Sequence, residues 1–315
     1  MKFRHDGRVP LPEHVRLATE ERAAAIGFPV LKQAVETISA AYREGSTVAT
    51  LGAAERVAAY LAVRMPATYA AAETALGTLK DQPIASVLDV GAGTGAAALA
   101  ALHCFPHLDP ITLIARDAAL AAAAREFLPA AQLRSDNFAR LAEFPPHDLV
   151  IAAYALGESP SPDIALRLWQ AARVALVVLE PGTPGGFSLI REIRQRLLAR
   201  GARMLAPCPA ESACPMPASD WCHFAARVER TSLHRRLKGA ALGYEDEKFS
   251  YVAFVRGPAA LAPSRILRRP RHQPGLIVLE TCTPDGLQTV RVSRRDRNRF
   301  RAARRAAWGD AFPSL

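Results

Sequence analysis

Cysteine is scarce in this chain. Its 315 residues include five cysteines, four methionines and three tryptophans, and aromatic residues make up only 7%. So few thiols exclude the dense disulfide framework of a small secreted scaffold, and a chain of this length buries a core without one. Long apolar runs are missing as well: none approaches the roughly 18 residues of a membrane span, so no membrane partner is expected. The opening MKFRHDGRVPLPEHV lacks the apolar stretch of a secretory signal, and a cytoplasmic protein is expected on that ground. Acids are under-represented. There are 30 Asp and Glu against 40 Lys and Arg, a net charge of +10, which favours a polyanionic partner. Half of the residues are hydrophobic, so the chain is globular rather than disordered. There are no internal repeats.

The few cysteines are not scattered. Cys208, Cys214 and Cys222 share the stretch APCPAESACPMPASDWC at 206–222, and Cys282 waits far downstream in LETCTPDG. In a reducing compartment, clustered cysteines point to metal ligation. Four thiolates suit either tetrahedral zinc or an iron–sulfur cluster. The short C-x2-C knuckles of common zinc sites are absent. Cys208 and Cys214 are each followed by proline, a pattern met in iron–sulfur ligation, and both metals stay open at this point. Incidental cysteines in a proline-rich loop are the bland alternative. Such a loop has little regular backbone pairing, so something must hold it, and metal bonds would. His223 is an alternative ligand or, more simply, a neighbour of one. Cys104, on an apolar helix face, belongs to the core.

Three regions follow along the chain. Residues 1–80 carry apolar residues at helical spacing, with breaks at Gly27–Pro29 and around Gly45–Ser46, and form an N-terminal helical region. Residues 81–258 alternate strand and helix: IASVLDVGAG, ITLIARD, DLVIAAYAL and VALVVLEPG read as strands. EKFSYVAFVR at 247–256 closes the sheet. That rhythm predicts a doubly wound, mostly parallel α/β sheet, with the cysteine-bearing segment 204–225 as an insertion. Residues 259–315 form a basic extension: a hairpin turning at Pro284–Asp285–Gly286, then an arginine-rich helix.

VLDVGAGTG at 87–95 carries the clearest chemistry. A strand ends near Asp89, and Gly91, Gly93 and Gly95 follow before a helix. Glycines let backbone amides approach a ligand, and the helix N-terminus behind them favours anionic groups. A dinucleotide fold would prefer G-x-G-x-x-G with an acid about 20 residues later. This shorter spacing resembles the first motif of class I S-adenosylmethionine-dependent methyltransferases. In those enzymes an acid ends the second strand and binds the ribose. Here that place is held by Ala115, with Asp117 two residues on as a substitute. Asp136, in SDNF with Asn137, is the candidate for the adenine amine, or else an ordinary polar turn. The catalytic position holds AAYALGES at 152–159, without the N/D-P-P-Y/F motif of amino-directed nucleic-acid methyltransferases. Tyr154 and Glu158 are the polar residues nearest the expected substrate mouth, and neither is a recognisable catalyst.

The basic residues fall into three groups. One is His234, Arg235, Arg236 and Lys238; the second is Arg265, Arg268, Arg269 and Arg271. The third is Arg291, Arg294, Arg295, Arg297, Arg299, Arg301, Arg304 and Arg305. Arginine makes planar, bidentate phosphate contacts, and three such groups around one cysteine site point to nucleic acid. RNA is preferred over DNA because no helix-turn-helix or zinc-finger reading head is visible.

Taken together, AAYLAVRMPATYAA (58–71), VLDVGAGTG, LVVLEPGTPGGF (176–187), the cysteine stretch, KFSYVAF (248–254), CTPDG and AARRAAWGD (302–310) resemble a known family. It comprises the methyltransferase-like proteins of the mitochondrial small ribosomal subunit and their bacterial relatives, and the matching pieces span nearly the whole chain. The resemblance implies a class I methyltransferase fold and association with small-subunit ribosomal RNA during assembly. It also implies a [4Fe–4S] cluster on Cys208, Cys214, Cys222 and Cys282, with zinc as the alternative metal. The expected protein is a ribosome assembly factor that keeps S-adenosylmethionine as a structural ligand and is monomeric until it binds the subunit. The alternative is an active rRNA methyltransferase.

Overall fold

The computed structural model describes residues 7–44, 51–159 and 161–313. The chain opens with α1 (Glu13–Ile26), α2 (Phe28–Glu44) and α3 (Ala53–Ala59). A π-turn over Tyr60–Arg64 then leads into α4 (Met65–Leu76). Gly27 ends α1 with φ 86°, a conformation that favours glycine, so the predicted break there is real. The break expected near Gly45–Ser46 lies outside the described residues. Leu31, Val35 and Ile38 of α2 pack with Ala58, Ala62 and Val63 in a small core of their own. By contrast, α4 shares the main core with the sheet that follows: Met65, Ala70 and Leu76 cluster with Val87 and Leu99.

The sheet is built from β1 (Val87–Val90), β2 (Ile111–Ile114), β3 (Gln132–Arg134), β4 (His147–Ala153), β5 (Ala172–Pro181), β6 (Arg203–Ala206), β7 (Phe224–Glu229) and β8 (Tyr244–Val255). The helices between them are α5 (Ala96–Cys104), α6 (Ala118–Phe127), α7 (Pro162–Ala171), α8 (Pro184–Leu198) and α9 (Ser232–Lys238). Strand order is β3-β2-β1-β4-β5-β8-β6, with β7 also pairing β8. β1 to β5 run parallel, and β8 runs antiparallel to β5, β6 and β7. Both faces are covered by helices, which is why VLDV and ITLI are buried at every position rather than alternating. This is the doubly wound, mostly parallel α/β architecture of class I methyltransferase type. β1 lies between β2 and β4, so the chain reverses direction across the sheet at the glycine loop, where open α/β sheets bind ligands.

Two expectations change. EKFSYVAFVR does not close the sheet; its strand, β8, is interior, flanked by β5 on one side and by β6 and β7 on the other. β3, β6 and β7 went unanticipated because each is short or broken by charge, as in FAARVE. The C-terminal region adds β9 (Arg265–Ile266), β10 (Arg271–Gln273), β11 (Leu276–Thr283), β12 (Gly286–Ser293) and α10 (Arg297–Arg305). The hairpin β11–β12 turns where expected, with Thr283 opposite Gly286. Ile277, Leu279, Val290, Val292, Ala303 and Phe312 give this module its own core.

Candidate functional site

The glycine loop leaves β1 at Val90. Gly91, Gly93 and Gly95 have φ of 76°, 52° and 74°. A Cβ on Gly91 would stand 2.4 Å from the Cβ of Ala155, so close packing against the exit of β4 requires glycine. A Cβ on Gly93 would meet nothing nearer than the Gly91 carbonyl at 3.9 Å, so that side of the loop is an open cradle. Gly91 and Ala92 donate to the carbonyl of Ile114 at 2.9 and 3.0 Å, which ties the loop to β2. Asp89 is buried, and its Oδ2 accepts the N–H of Ala98 at 3.0 Å. Burial pushes its carboxyl up to about 7, against the lowering effect of that bond.

The other cofactor candidates are already engaged. Asp117 caps α6, accepting from Ala119 and Leu120 through Oδ1 at 3.0 and 3.2 Å, and its Oδ2 lies 2.9 Å from Nε of Arg56 on α3. Burial opposes ionisation of Asp117. The helix N–H groups and the Arg56 guanidinium outweigh it and hold the carboxyl below its ordinary value. Asp136 pairs with Arg134 at 3.0 Å, and Asn137 Oδ1 accepts the Ala139 N–H at 3.1 Å. Tyr154 follows β4 with φ 56°. Its hydroxyl donates to Glu247 at 3.0 Å, and the Arg64 guanidinium lies 5.7 Å from its ring centre. Glu158 is exposed, 3.8 Å from Arg116. Sequence reasoning missed Arg56, Arg64 and Glu247, which come from elements far from the loop. It also missed Glu180, whose buried carboxylate accepts from Leu156 and Gly157 at 3.0 and 3.1 Å. The signal for Glu180 was present as an acid inside the apolar run VVLEPG.

Cys208, Cys214, Cys222 and Cys282 line one cavity of about 190 Å³ between α8, the proline-rich loop and the β11–β12 turn. Arg194 and Arg265 also line it. Burial first, and the neighbouring thiols second, push the Cys282 thiol up to about 12; Arg194 and Arg265 pull the other way. Cys208 and Cys222 are raised by burial too. Among the described residues, no group of three or more His, Cys, Asp and Glu could hold a single metal ion. Two arginines of α8 hold the loop. Arg194, buried on α8, donates to the carbonyls of Ala210 and Ser212 at 2.7 and 2.8 Å. Arg191 donates to those of Met216 and Cys214 at 3.1 and 3.3 Å. These guanidinium groups replace the missing backbone pairing. His223 stacks on Trp221 at 5.4 Å and does not line the cavity.

Folding divides the basic residues. Arg268 pairs with Asp220 at 2.6 Å, Arg269 with Asp246, Arg271 with Glu280 at 3.3 Å and Lys238 with Glu245 at 3.8 Å. Arg236 lies over the Phe28 ring, and its neighbour Arg235 is exposed on α9. Arg294, Arg295, Arg301, Arg304 and Arg305 are exposed, with no acidic partner among the described residues.

The family described as mitochondrial small ribosomal subunit Rsm22 matches residues 54–313, from α3 through the C-terminal module. The chain belongs to the Rsm22 family. Its similar relatives include the human ribosome assembly protein METTL17, mitochondrial, which is 27% identical over 81% of this chain and 62% of that protein. They also include the Rsm22-cox11 tandem proteins of Schizosaccharomyces pombe, 25% identical over 82% of this chain and 43% of theirs. The chain therefore spans less than two thirds of the length of these relatives. Among solved structures, a putative RNA methyltransferase from Pyrococcus horikoshii is similar at 13% identity, over 59% of this chain and 80% of that one, with a TM-score of 0.40. The expectation of a cytoplasmic protein is overturned by the family: its description and the names of these relatives are mitochondrial. Receptors read targeting segments apart from the fold, so the residues at the start of the chain were a poor guide to compartment.

Proposed function

We propose that this Rsm22-family chain binds small-subunit ribosomal RNA as an assembly factor. In this reading a methyltransferase scaffold holds S-adenosylmethionine at the glycine loop and a [4Fe–4S] cluster on Cys208, Cys214, Cys222 and Cys282. The observation that carries it is the meeting of those four cysteines, from two distant segments, around one cavity beside a module in which Arg294, Arg295, Arg301, Arg304 and Arg305 are exposed without an acidic partner among the described residues. Four thiolates around one cavity suit zinc or an iron–sulfur cluster by donor chemistry, and the family resemblance favours the cluster. Arg194 and Arg265 offset the negative charge that four thiolates bring.

The open side of Gly93 and the buried Asp89 fit an adenosyl cofactor. S-adenosylmethionine supplies an electrophilic methyl group when bound. This chain's residues would orient it: the open side of Gly93 leaves it room, and Asp89 fixes the start of α5. Asp117 is paired with Arg56 and Tyr154 is tied to Glu247; Glu158, exposed and 3.8 Å from Arg116, is the acid left nearest the catalytic position among the described residues. A structural role for the cofactor is the reading we favour, because AAYALGES carries no recognisable catalytic motif.

The test is anaerobic purification with iron and sulfide analysis, together with crosslinking to RNA and sequencing. Brown protein with near-stoichiometric iron and sulfide, and crosslinks to small-subunit rRNA, are expected. Colourless zinc-loaded protein overturns the cluster, and crosslinks spread over unrelated RNA overturn the ribosomal assignment. Labelled S-adenosylmethionine that binds without methylating small subunits fits a structural ligand; transfer abolished by Asp89→Ala would establish an enzyme instead.

A further inference from the structure

Resting on the RNA-binding reading above, we infer that the C-terminal module docks on the phosphate backbone of double-helical RNA, without reading base sequence, through one strip of arginines along α10. On that helix Arg297, Arg301, Arg304 and Arg305 are exposed. Their spacing of four, three and one residues confines them to one side of the helix. Arg299, Phe300 and Ala303 turn the other way, toward the core that α10 covers. The strip runs about 12 Å along the axis at 1.5 Å per residue. Arg294 and Arg295, in the turn after β12, extend it at the N-terminal end. Arg291 does not join it: it alternates with the buried Val290 and Val292 and so stands on the opposite face of the hairpin.

Two observations choose the kind of RNA. First, these six arginines have no acidic partner among the described residues, while Arg268, Arg269 and Arg271 of the same module are spent on Asp220, Asp246 and Glu280. Their charge is therefore available to phosphates. Second, among the described residues the module exposes no Phe, Tyr or Trp ring. Phe300 is half-buried, and Trp308 and Phe312 are buried, with Trp308 Nε1 donating to the His223 carbonyl at 3.0 Å. The module's one exposed aromatic ring is the imidazole of His272 on β10, not on α10. Single-stranded RNA is gripped by stacking successive bases on exposed rings, and a lone imidazole makes no such platform. A rigid row of guanidinium groups fits the regular backbone of an A-form helix, which proteins recognise by shape and phosphate.

The test uses the full chain, purified with its metal, and fluorescence anisotropy. The probes are two RNA duplexes of unrelated sequence, one of their single strands, and phosphatidylserine vesicles. Affinity is expected to agree within about threefold between the duplexes and to fall by about tenfold on the single strand. The log–log salt slope on duplex should be about −5 for six phosphate contacts. Arg301→Glu/Arg304→Glu/Arg305→Glu should bind duplex about 100-fold more weakly. Arg304→Gln alone should reduce the slope by about one. A charge-matched control, Lys80→Glu/Arg125→Glu/Arg200→Glu, changes exposed cations elsewhere and should stay within about threefold of the parent. Circular dichroism checks that the triple variants fold, and Arg304→Gln gives the answer if they do not. Preference for single strand, dependence on sequence, stronger binding to vesicles, or equal loss in the control would overturn the inference while RNA binding stands. Failure to bind any RNA would overturn the RNA-binding function with it.

Discussion

Arg265 pairs with Cys282 across β9 and β11, and its Nε donates to the carbonyl of Pro207, the residue before Cys208, at 2.8 Å. One buried side chain thus joins the two segments that supply the cysteines. Its Nη1 also donates to the Gly309 carbonyl at 2.9 Å. Arg265→Ala leaves both carbonyls buried without donors and should cost about 3 kcal/mol. Urea unfolding, with limited proteolysis of residues 259–313, measures it. Unchanged stability and an equally protected C-terminal module would show that the contact holds nothing.

Asp89 gives the fold a pH dependence. Its carboxyl ordinarily ionises near 3.8 but is pushed to about 7 by burial. Between those values the folded chain binds more protons than the unfolded chain, so stability falls as pH rises. The buried Glu180, also pushed up to about 7, acts in the same direction. Asp89→Asn should remove part of the decline between pH 5 and 7, about 2.5 kcal/mol at most. Thermal melts across that range decide it, and a parallel decline in the variant would refute the assignment.

Two loop glycines should fail differently. Gly91→Ala forces a Cβ to 2.4 Å from Ala155 at φ 76°, so the fold itself should suffer, by about 2 kcal/mol or more. Gly93→Ala meets open space, so its stability cost should be only the left-handed backbone, about 1 kcal/mol, while the methyl group fills the cradle. Calorimetry with S-adenosylhomocysteine should show binding lost in Gly93→Ala while the melting temperature stays near that of the parent. Retained binding would place the ligand elsewhere.

Cysteine substitutions separate the cavity from the core. Cys282→Ser should lower iron content and loosen the C-terminal module to protease, since it removes the one thiol that the module supplies. Cys104→Ser should leave iron unchanged, because Cys104 packs against the main core away from that cavity. Equal iron loss in both would mean general unfolding rather than ligation.

Much of this was legible in VLDVGAGTG and in the four cysteines. A strand that ends in alternating glycines encodes its turn within a few residues, because positive φ is tolerated there only by glycine. The interior place of β8 was not legible, since the strands that flank it, β6 and β7, are short and weakly patterned. Nor were the holds on the proline-rich loop. Nothing in SLIREIRQRLL says that Arg191 and Arg194 turn inward to the carbonyls of 210–216.

The sequence by itself determined the α/β alternation, the glycine turn, the arginine surplus and the crowding of three cysteines into one proline-rich stretch, because local backbone preference and residue chemistry act over a few positions. Only the tertiary structure decided that Cys282 lines one cavity with the other three, that Asp117 is spent on Arg56, and which arginines stay exposed without an acidic partner among the described residues. Those outcomes depend on strand register and on partners remote in the chain, and the same side chain is a ligand, a cap or a free charge according to what the fold sets beside it.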